Sequence, residues 1–417
     1  MFIKFKLEDW QKHFFVFASL FFLVILFIVP ERCHYDDRVC WLRWISYIKT
    51  SGLLNVYNTD TEYLPAFQYL LYLYSQWKDS IDELTLNIKY FKLVIFLFHL
   101  GSSYMVFHFL RKFSPLVNSY YGIFYLLNIA VLHNTLVWGQ VDEIISFFMV
   151  MSLYFLLKEN TRMGLISFLL ALNFKYQAIV FTPAILFLLV PIYWHGDRKS
   201  ILSDFIYLVI IQTIIFLPYI LHGKLGDIWR VIATLVDSQP YISANAYNIW
   251  FAFIGGEARW MKDSEILYGF SYKTWGLALF FIFSFLSLWP LFVWSLKRIL
   301  GKTSNTINHD LAILSWGILP LIFFFFCTQM HERYAHAAII FLVIYSIRSS
   351  KWHIGLLASL AYLLNVEDVL KSLSFQNYNV LLLRSKFIAL LFFIVILSCL
   401  YEIYKIAVAE KLLKVKN

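Results

Sequence analysis

Runs of about twenty apolar residues recur along the whole chain of 417 residues, and no other feature constrains its fold as tightly. Wound as an α-helix, such a run matches the ~30 Å hydrocarbon core of a bilayer. Inside lipid only helices and closed barrels satisfy every backbone N–H and C=O. Composition agrees: the chain is 60% hydrophobic, 20% aromatic and 15% charged, where soluble domains carry about 25% charged residues. Mean hydropathy is +0.67. The prediction is an all-α, polytopic membrane protein with about twelve transmembrane helices in a single domain over 1–417, without repeats, low-complexity stretches or linkers. The spans fall at roughly 13–30, 89–110, 117–135, 141–157, 162–175, 177–194, 203–221, 274–295, 310–327, 335–347, 353–365 and 385–407. The first run is long and no small-residue cleavage site follows it, so it reads as an uncleaved span rather than a signal peptide.

Net charge is +9. There is no zinc finger, P-loop or G-x-G-x-x-G, so the excess reads as basic anchors at one leaflet and not as nucleic-acid binding. If twelve spans alternate, Lys4, Lys6, Lys12, Arg111, Lys112, Lys158, Arg162, Arg198, Lys199, Lys297, Arg298, Lys302, Arg348, Lys351, Lys411, Lys414 and Lys416 all fall on one side. Short connections on the other side hold only Lys175 and Arg333. This positive-inside pattern predicts cytoplasmic termini. The outer side then carries long loops at 31–88 and 222–273, a moderate one at 366–384, and short turns at 134–142, near 176 and at 328–334. It also holds Asp36, Asp37, Asp60, Glu62, Asp142, Asp237 and Glu332, so chemistry is expected there.

In loop 31–88, Trp41, Trp44, Ile45 and Ile48 recur at helical spacing and predict an amphipathic helix lying at the membrane interface. The stretch YLPAFQYLLYLYSQW predicts a second, with Pro65 near its start. Cys33 and Cys40 are seven apart and could pair if this loop faces an oxidising compartment, free thiols being the alternative. Cys327 and Cys399 read as small core residues.

Burying charge in a membrane protein is costly, so charged groups at span ends are functional candidates. Five segments qualify. In HYDDR, Asp36 and Asp37 are adjacent carboxylates at a membrane mouth, suited to a general base or metal, or to a solvated loop start. In VWGQVDEI, Asp142 and Glu143 suit a helix N-terminus, which leaves Trp138, Gly139 and Gln140 unexplained. In NFKYQ, Lys175 and Gln177 lie where two spans meet, and Lys175 either binds phosphate or snorkels to headgroups. In SANAYNIW, Asn245, Asn248 and Trp250 suit a sugar, through amide hydrogen bonds and ring stacking, or an ordered loop plug. In MHERYAH, His331 and His336 are five apart, not the four of a zinc-protease helix. About 140° of rotation separates them on a helix, and the protease reading fails. Arg333 can instead grip a phosphate bidentately, His331 can donate to it, and Glu332 can orient either one or a sugar hydroxyl; a local Glu–Arg surface pair is the plainer reading.

The order of these motifs resembles the polytopic GT-C superfamily of lipid-phosphate-sugar glycosyltransferases. It runs from the acidic pair through Trp41-x-x-Trp44, Gly52-x-x-x-x-Tyr57 and Tyr63-Leu64-Pro65 to W-G-Q-x-D, K-x-Q, N-x-W and M-H-E-R-Y. The most similar branch is that of bacterial relatives of the mannosyltransferases of the glycosylphosphatidylinositol pathway, over about residues 30–350. The resemblance implies transfer of a hexose, mannose by default, from a polyprenyl-phosphate donor to a lipid, glycan or protein acceptor. The site would face outward from a membrane, a bacterial inner membrane by this resemblance. An Asp of the first outer loop would be the base, and Asp37 fits better than Asp36 by its spacing from Trp44. The W-G-Q-V-D segment would line the site, and basic residues would hold the lipid phosphate. Many relatives have Y-P-P where this chain has Tyr63-Leu64-Pro65. There is no D-x-D, only Asp60-Thr61-Glu62, so no cofactor is expected, with a divalent cation as the alternative. Two rival classes are a polysaccharide polymerase, whose outer-loop arginines do not map here, and a lipid-linked-sugar flippase. A flippase would want a polar path through spans that here hold only His99 and His108, which read as core histidines.

Overall fold

The computed structural model describes residues 8–31, 33–196, 198–234, 239–304, 306–373 and 381–413. Lys4, Lys6, Asp237, Lys414 and Lys416 lie outside the described residues, as do the side chains of Asp36 and Arg198. The described residues are mostly helical. Among the described residues, eight helices are long and apolar enough to cross a membrane: Asp9–Ile28, Ile88–Phe113, Tyr176–His195, Lys199–Leu221, Tyr272–Ile299, His309–Phe326, Trp352–Leu370 and Ser385–Ala409. A ninth forms if Ser119–Leu126 and Ile129–Trp138, bent by 41° at their junction, count as one span. Three shorter helices, Asp142–Leu157, Thr161–Phe174 and His336–Ser349, complete the set. Each of the twelve apolar segments read from the sequence coincides with one of these.

Helices His309–Phe326 and His336–Ser349 form the centre. From Leu311 to Phe326 only Phe323 is not buried, and from His336 to Ile347 every residue is. They pack closely because Gly317 has no side chain, since a Cβ there would lie 3.0 Å from that of Phe341. Small residues serve this purpose where lipid gives helices no hydrophobic reason to associate. Helix Lys199–Leu221 is peripheral, exposing Phe205, Val209, Ile210, Ile214 and Leu221.

The basic turns gather at one end. Arg111 pairs with Glu8 at 2.5 Å, Arg298 with Glu159 at 2.6 Å, and Lys297 donates to the Lys411 carbonyl at 2.8 Å. The opposite end carries the ordered loops. Helices Tyr35–Ser51 and Pro65–Ser75 form where the periodicity placed them. Trp41, Trp44, Ile45 and Ile48 are buried there in a cluster with Phe67, Phe91 and Tyr219. The second loop contributes strand Ser243–Ala244, which pairs in parallel with Met330–His331. The three short helices, of 16, 14 and 14 residues, rise only about 21–24 Å. All three stop at this loop end, and a recess opens there.

Candidate functional site

That recess is a cavity of about 740 Å³ between the first loop, the turn 175–177, the second loop and the turn 327–334. Asp37 faces it. The residue lies one helical turn before Trp41, so burying the Trp41 stripe turns Asp37 inward as well. Its Oδ2 accepts a hydrogen bond from Trp138 Nε1 at 2.7 Å, and His34 Nδ1 lies 3.4 Å away. The His34 ring stacks on Trp138 with centroids 4.8 Å apart. Cys33 Sγ donates to the Trp138 carbonyl at 2.9 Å. The acidic segment is thus fastened to the W-G-Q segment at three points. Burial pushes the Asp37 carboxyl up. The His34 hydrogen bond, the Arg333 charge and the Trp138 hydrogen bond outweigh it and hold the group well below the ordinary carboxylate range.

Trp138 ends a wide, π-type turn, and Gly139 follows with φ of 89°. A Cβ on Gly139 would meet the Lys92 chain at 3.2 Å and the Trp41 ring at 3.4 Å. Lys92 is buried and donates to the Pro30 and Val137 carbonyls at 2.9 and 3.2 Å. It ties the end of the first helix to the turn that presents Trp138.

Asp142 starts its helix within hydrogen-bond reach of Lys175, which pairs with it. Arg333 Nε lies 3.9 Å from Asp142 Oδ2, and Arg333 Nη1 lies 3.0 Å from Glu332 Oε1. Lys175 also sits 5.0 Å above the Tyr334 ring. The sequence-derived candidates Asp37, Lys175, Gln177, Asn245, His331, Glu332 and Arg333 therefore converge on one cavity. Both cations expected to hold a phosphate meet there, each already beside a carboxylate.

Other assignments need correction. Trp138 is buried and touches Asp37 instead of the cavity. Gln140 is fully buried behind it, away from the cavity wall. Asp142 is 3% exposed at its side chain, pairs with Lys175, and lines an adjoining void of about 10 Å³ rather than the main cavity, room for one water, which places it less well than Asp37 to meet an acceptor. Asn248 caps helix Ile249–Ile254 by accepting from Phe251 N at 3.1 Å, and donates to the Cys327 carbonyl at 3.2 Å. Trp250 Nε1 donates to the Phe326 carbonyl at 2.7 Å. Both anchor the second loop to a helix end and neither faces a substrate. Cys33 and Cys40 are free thiols.

Sequence reasoning missed the hub beneath the site. Glu143 is fully buried and accepts from Tyr125 at 2.9 and 3.0 Å, with His336 Nε2 at 2.7 Å and His99 Nδ1 at 3.4 Å. His336 Nδ1 lies 3.0 Å from the Tyr362 hydroxyl. This joins the W-G-Q-V-D-E and M-H-E-R-Y-A-H segments directly. His99 is a satisfied core histidine, whereas His108 is only half-buried, with Nε2 2.7 Å from the Tyr154 hydroxyl and Nδ1 without a partner among the described residues. Arg259, also on the cavity wall, was not singled out, and Trp44 and Tyr63 there were read as a helix stripe and a motif residue, not as site residues.

Fold and site define a membrane-embedded helical protein with a polar, charged cavity at the loop end. Comparison with models of known protein families returned no match, and comparison with curated proteins returned none either.

Proposed function

We propose that this protein is a membrane glycosyltransferase that moves a hexose from a polyprenyl-phosphate donor to an acceptor hydroxyl on the outer face of the membrane. Both termini would then be cytoplasmic, and the twelve helices would all be spans. The observation that carries the reading is Asp37: an ionised carboxylate, oriented by Trp138 and His34, facing a cavity of sugar-phosphate size among buried cations. The resemblance of the motif order to the GT-C superfamily supports the same reaction class.

A sugar hydroxyl is a poor nucleophile at neutral pH, and a carboxylate in hydrogen-bond reach removes its proton as the new bond forms. The acceptor oxygen bonds to the anomeric carbon, its proton passes to Asp37, and the C1–O bond to phosphate breaks. The electron pair leaves on the lipid phosphate, which needs no general acid. One displacement inverts the anomeric centre. His34 and Trp138 fix the direction of the Asp37 lone pairs. The basic end of the helices, opposite the cavity, supports a cytoplasmic basic end and an outer site.

The test is a donor panel. Protein in liposomes is given radiolabelled polyprenyl-phosphate monosaccharides and a crude membrane acceptor pool. Transfer from one of them is the expected result. Transfer only from a lipid-pyrophosphate oligosaccharide would replace this reading with that of a polymerase.

A further inference from the structure

We infer that the phosphate-holding cation of the cavity is Arg259, not Arg333 or Lys175. This rests on the phosphate-linked donor proposed above, and begins from a charge count. Arg333 and Lys175 are side by side, but Asp142, Glu332 and Asp37 all act on them. With the imidazoles of His34 and His331 beside Asp37 and Glu332 left neutral, three carboxylates face two cations, so the cluster has no uncompensated positive charge. An incoming phosphate would be repelled there, or would have to displace a buried carboxylate from its partner, leaving it unpaired at high cost. The cluster holds Asp37 ionised. It has no spare positive charge to offer a second anion.

Arg259 differs on each count. It comes from the second loop, in the turn Gly255–Arg259, and lines both the main cavity and a neighbouring open one of about 530 Å³. Among the described residues no carboxylate forms an ion pair with it. Its Nε is buried without a hydrogen-bond partner. Its guanidinium sits 5.0 Å above the Phe251 ring, which fixes the plane and leaves its edge for a ligand. Its polar neighbour is the Tyr247 hydroxyl, which interacts with the Arg259 side chain and donates to Asp368, so that carboxylate reaches Arg259 only through the hydroxyl. A preorganised guanidinium on a cavity wall, in no ion pair among the described residues, suits bidentate phosphate recognition. Phosphate at Arg259 and base at Asp37 come from different loops, so the sugar would lie between them.

The test measures binding apart from transfer. Full-length protein in detergent is titrated calorimetrically with farnesyl phosphate and with farnesol, for wild type, Arg259→Gln, Arg259→Lys and Arg333→Gln. Size-exclusion elution of each variant checks folding. Wild type is expected to prefer farnesyl phosphate over farnesol by about tenfold or more, as a charge-assisted contact would give. Arg259→Gln should abolish that preference, Arg259→Lys should keep part of it, and Arg333→Gln should keep it. Equal binding of the two probes by wild type, or a preference intact in Arg259→Gln, would overturn the inference. Competition by inorganic phosphate, or by phosphatidylglycerol nanodiscs, at the Arg259-dependent site would assign the same phosphate chemistry to a free anion or a bulk headgroup. If Arg259-dependent binding appears with no sugar transfer, the site stands and the transferase reading fails. Transfer with unchanged donor KM in Arg259→Gln means the reverse.

Discussion

The Trp138 indole donates its N–H to the Asp37 carboxylate at 2.7 Å, across 101 positions of sequence. The residue read as a wall of the site is instead the orienter of its base. Trp138→Phe keeps the ring and its stacking on His34 but removes the donor. One hydrogen bond to a charged group is worth about 1.5–3 kcal/mol, or roughly one to two pH units. Because the folded Asp37 is held below its ordinary value, wild-type turnover should show no Asp37 limb between pH 8 and pH 5. In Trp138→Phe the carboxyl rises, so the acidic limb, which lies below that window in both proteins, should begin at a higher pH than in wild type, and the profiles must be carried below pH 5 to see it. A pH–rate profile of both proteins checks this, and identical profiles would contradict it.

The Asp142–Lys175 pair should behave as a structural unit. Lys175→Met leaves the buried Asp142 with only long contacts among the described residues, to Arg333 at 3.9 Å and the Asn134 amide at 3.4 Å, and should destabilise the protein by about 3–5 kcal/mol. Adding Asp142→Asn should recover a large part of that loss. Thermal midpoints of the two variants in one detergent decide the matter; a double variant no better than Lys175→Met would show that the pair does not act alone.

His331 and His336 should part company in the same assay. His336→Ala strips Glu143 and Tyr362 of their shared partner and should cost at least about 2 kcal/mol. His331→Ala, in the cavity wall, should leave the midpoint within about 0.5 kcal/mol of wild type. Equal losses would mean that the two rings have similar structural weight.

Thiol chemistry gives an independent check on the Asp37 segment. Burial pushes the Cys33 thiol up to about 11, whereas Cys40 lines the cavity. Without reductant, mass spectrometry should find both cysteines unbridged, with maleimide labelling Cys40 first and Cys33 only slowly at pH 7. A Cys33–Cys40 disulfide would require a different path for residues 33–40.

The helices were legible because lipid leaves the backbone no other partners, so each apolar run had to become one. Trp41, Trp44, Ile45 and Ile48 were legible for a similar reason: their stripe has one face to bury. Side-chain roles were less so. Asn245 on the cavity wall and Asn248 capping a helix are the same residue type three positions apart, and only the backbone trace separates them. Glu143 and His336 are 193 positions apart, and nothing in one sequence couples them. Arg259 carried no local signal, because its distinction, that no carboxylate among the described residues forms an ion pair with it, exists only in space.

The most direct measurement is single-turnover transfer from the donor that the panel identifies, comparing wild type with Asp37→Asn. Asparagine keeps the shape and the Trp138 contact while removing the proton acceptor. A correctly placed base is worth about 10²–10⁴-fold. Loss of at least a hundredfold, with unchanged donor binding and a folded protein, is the expected result. Transfer within a few-fold of wild type would contradict Asp37 as the base, and with it the account of how this cavity works.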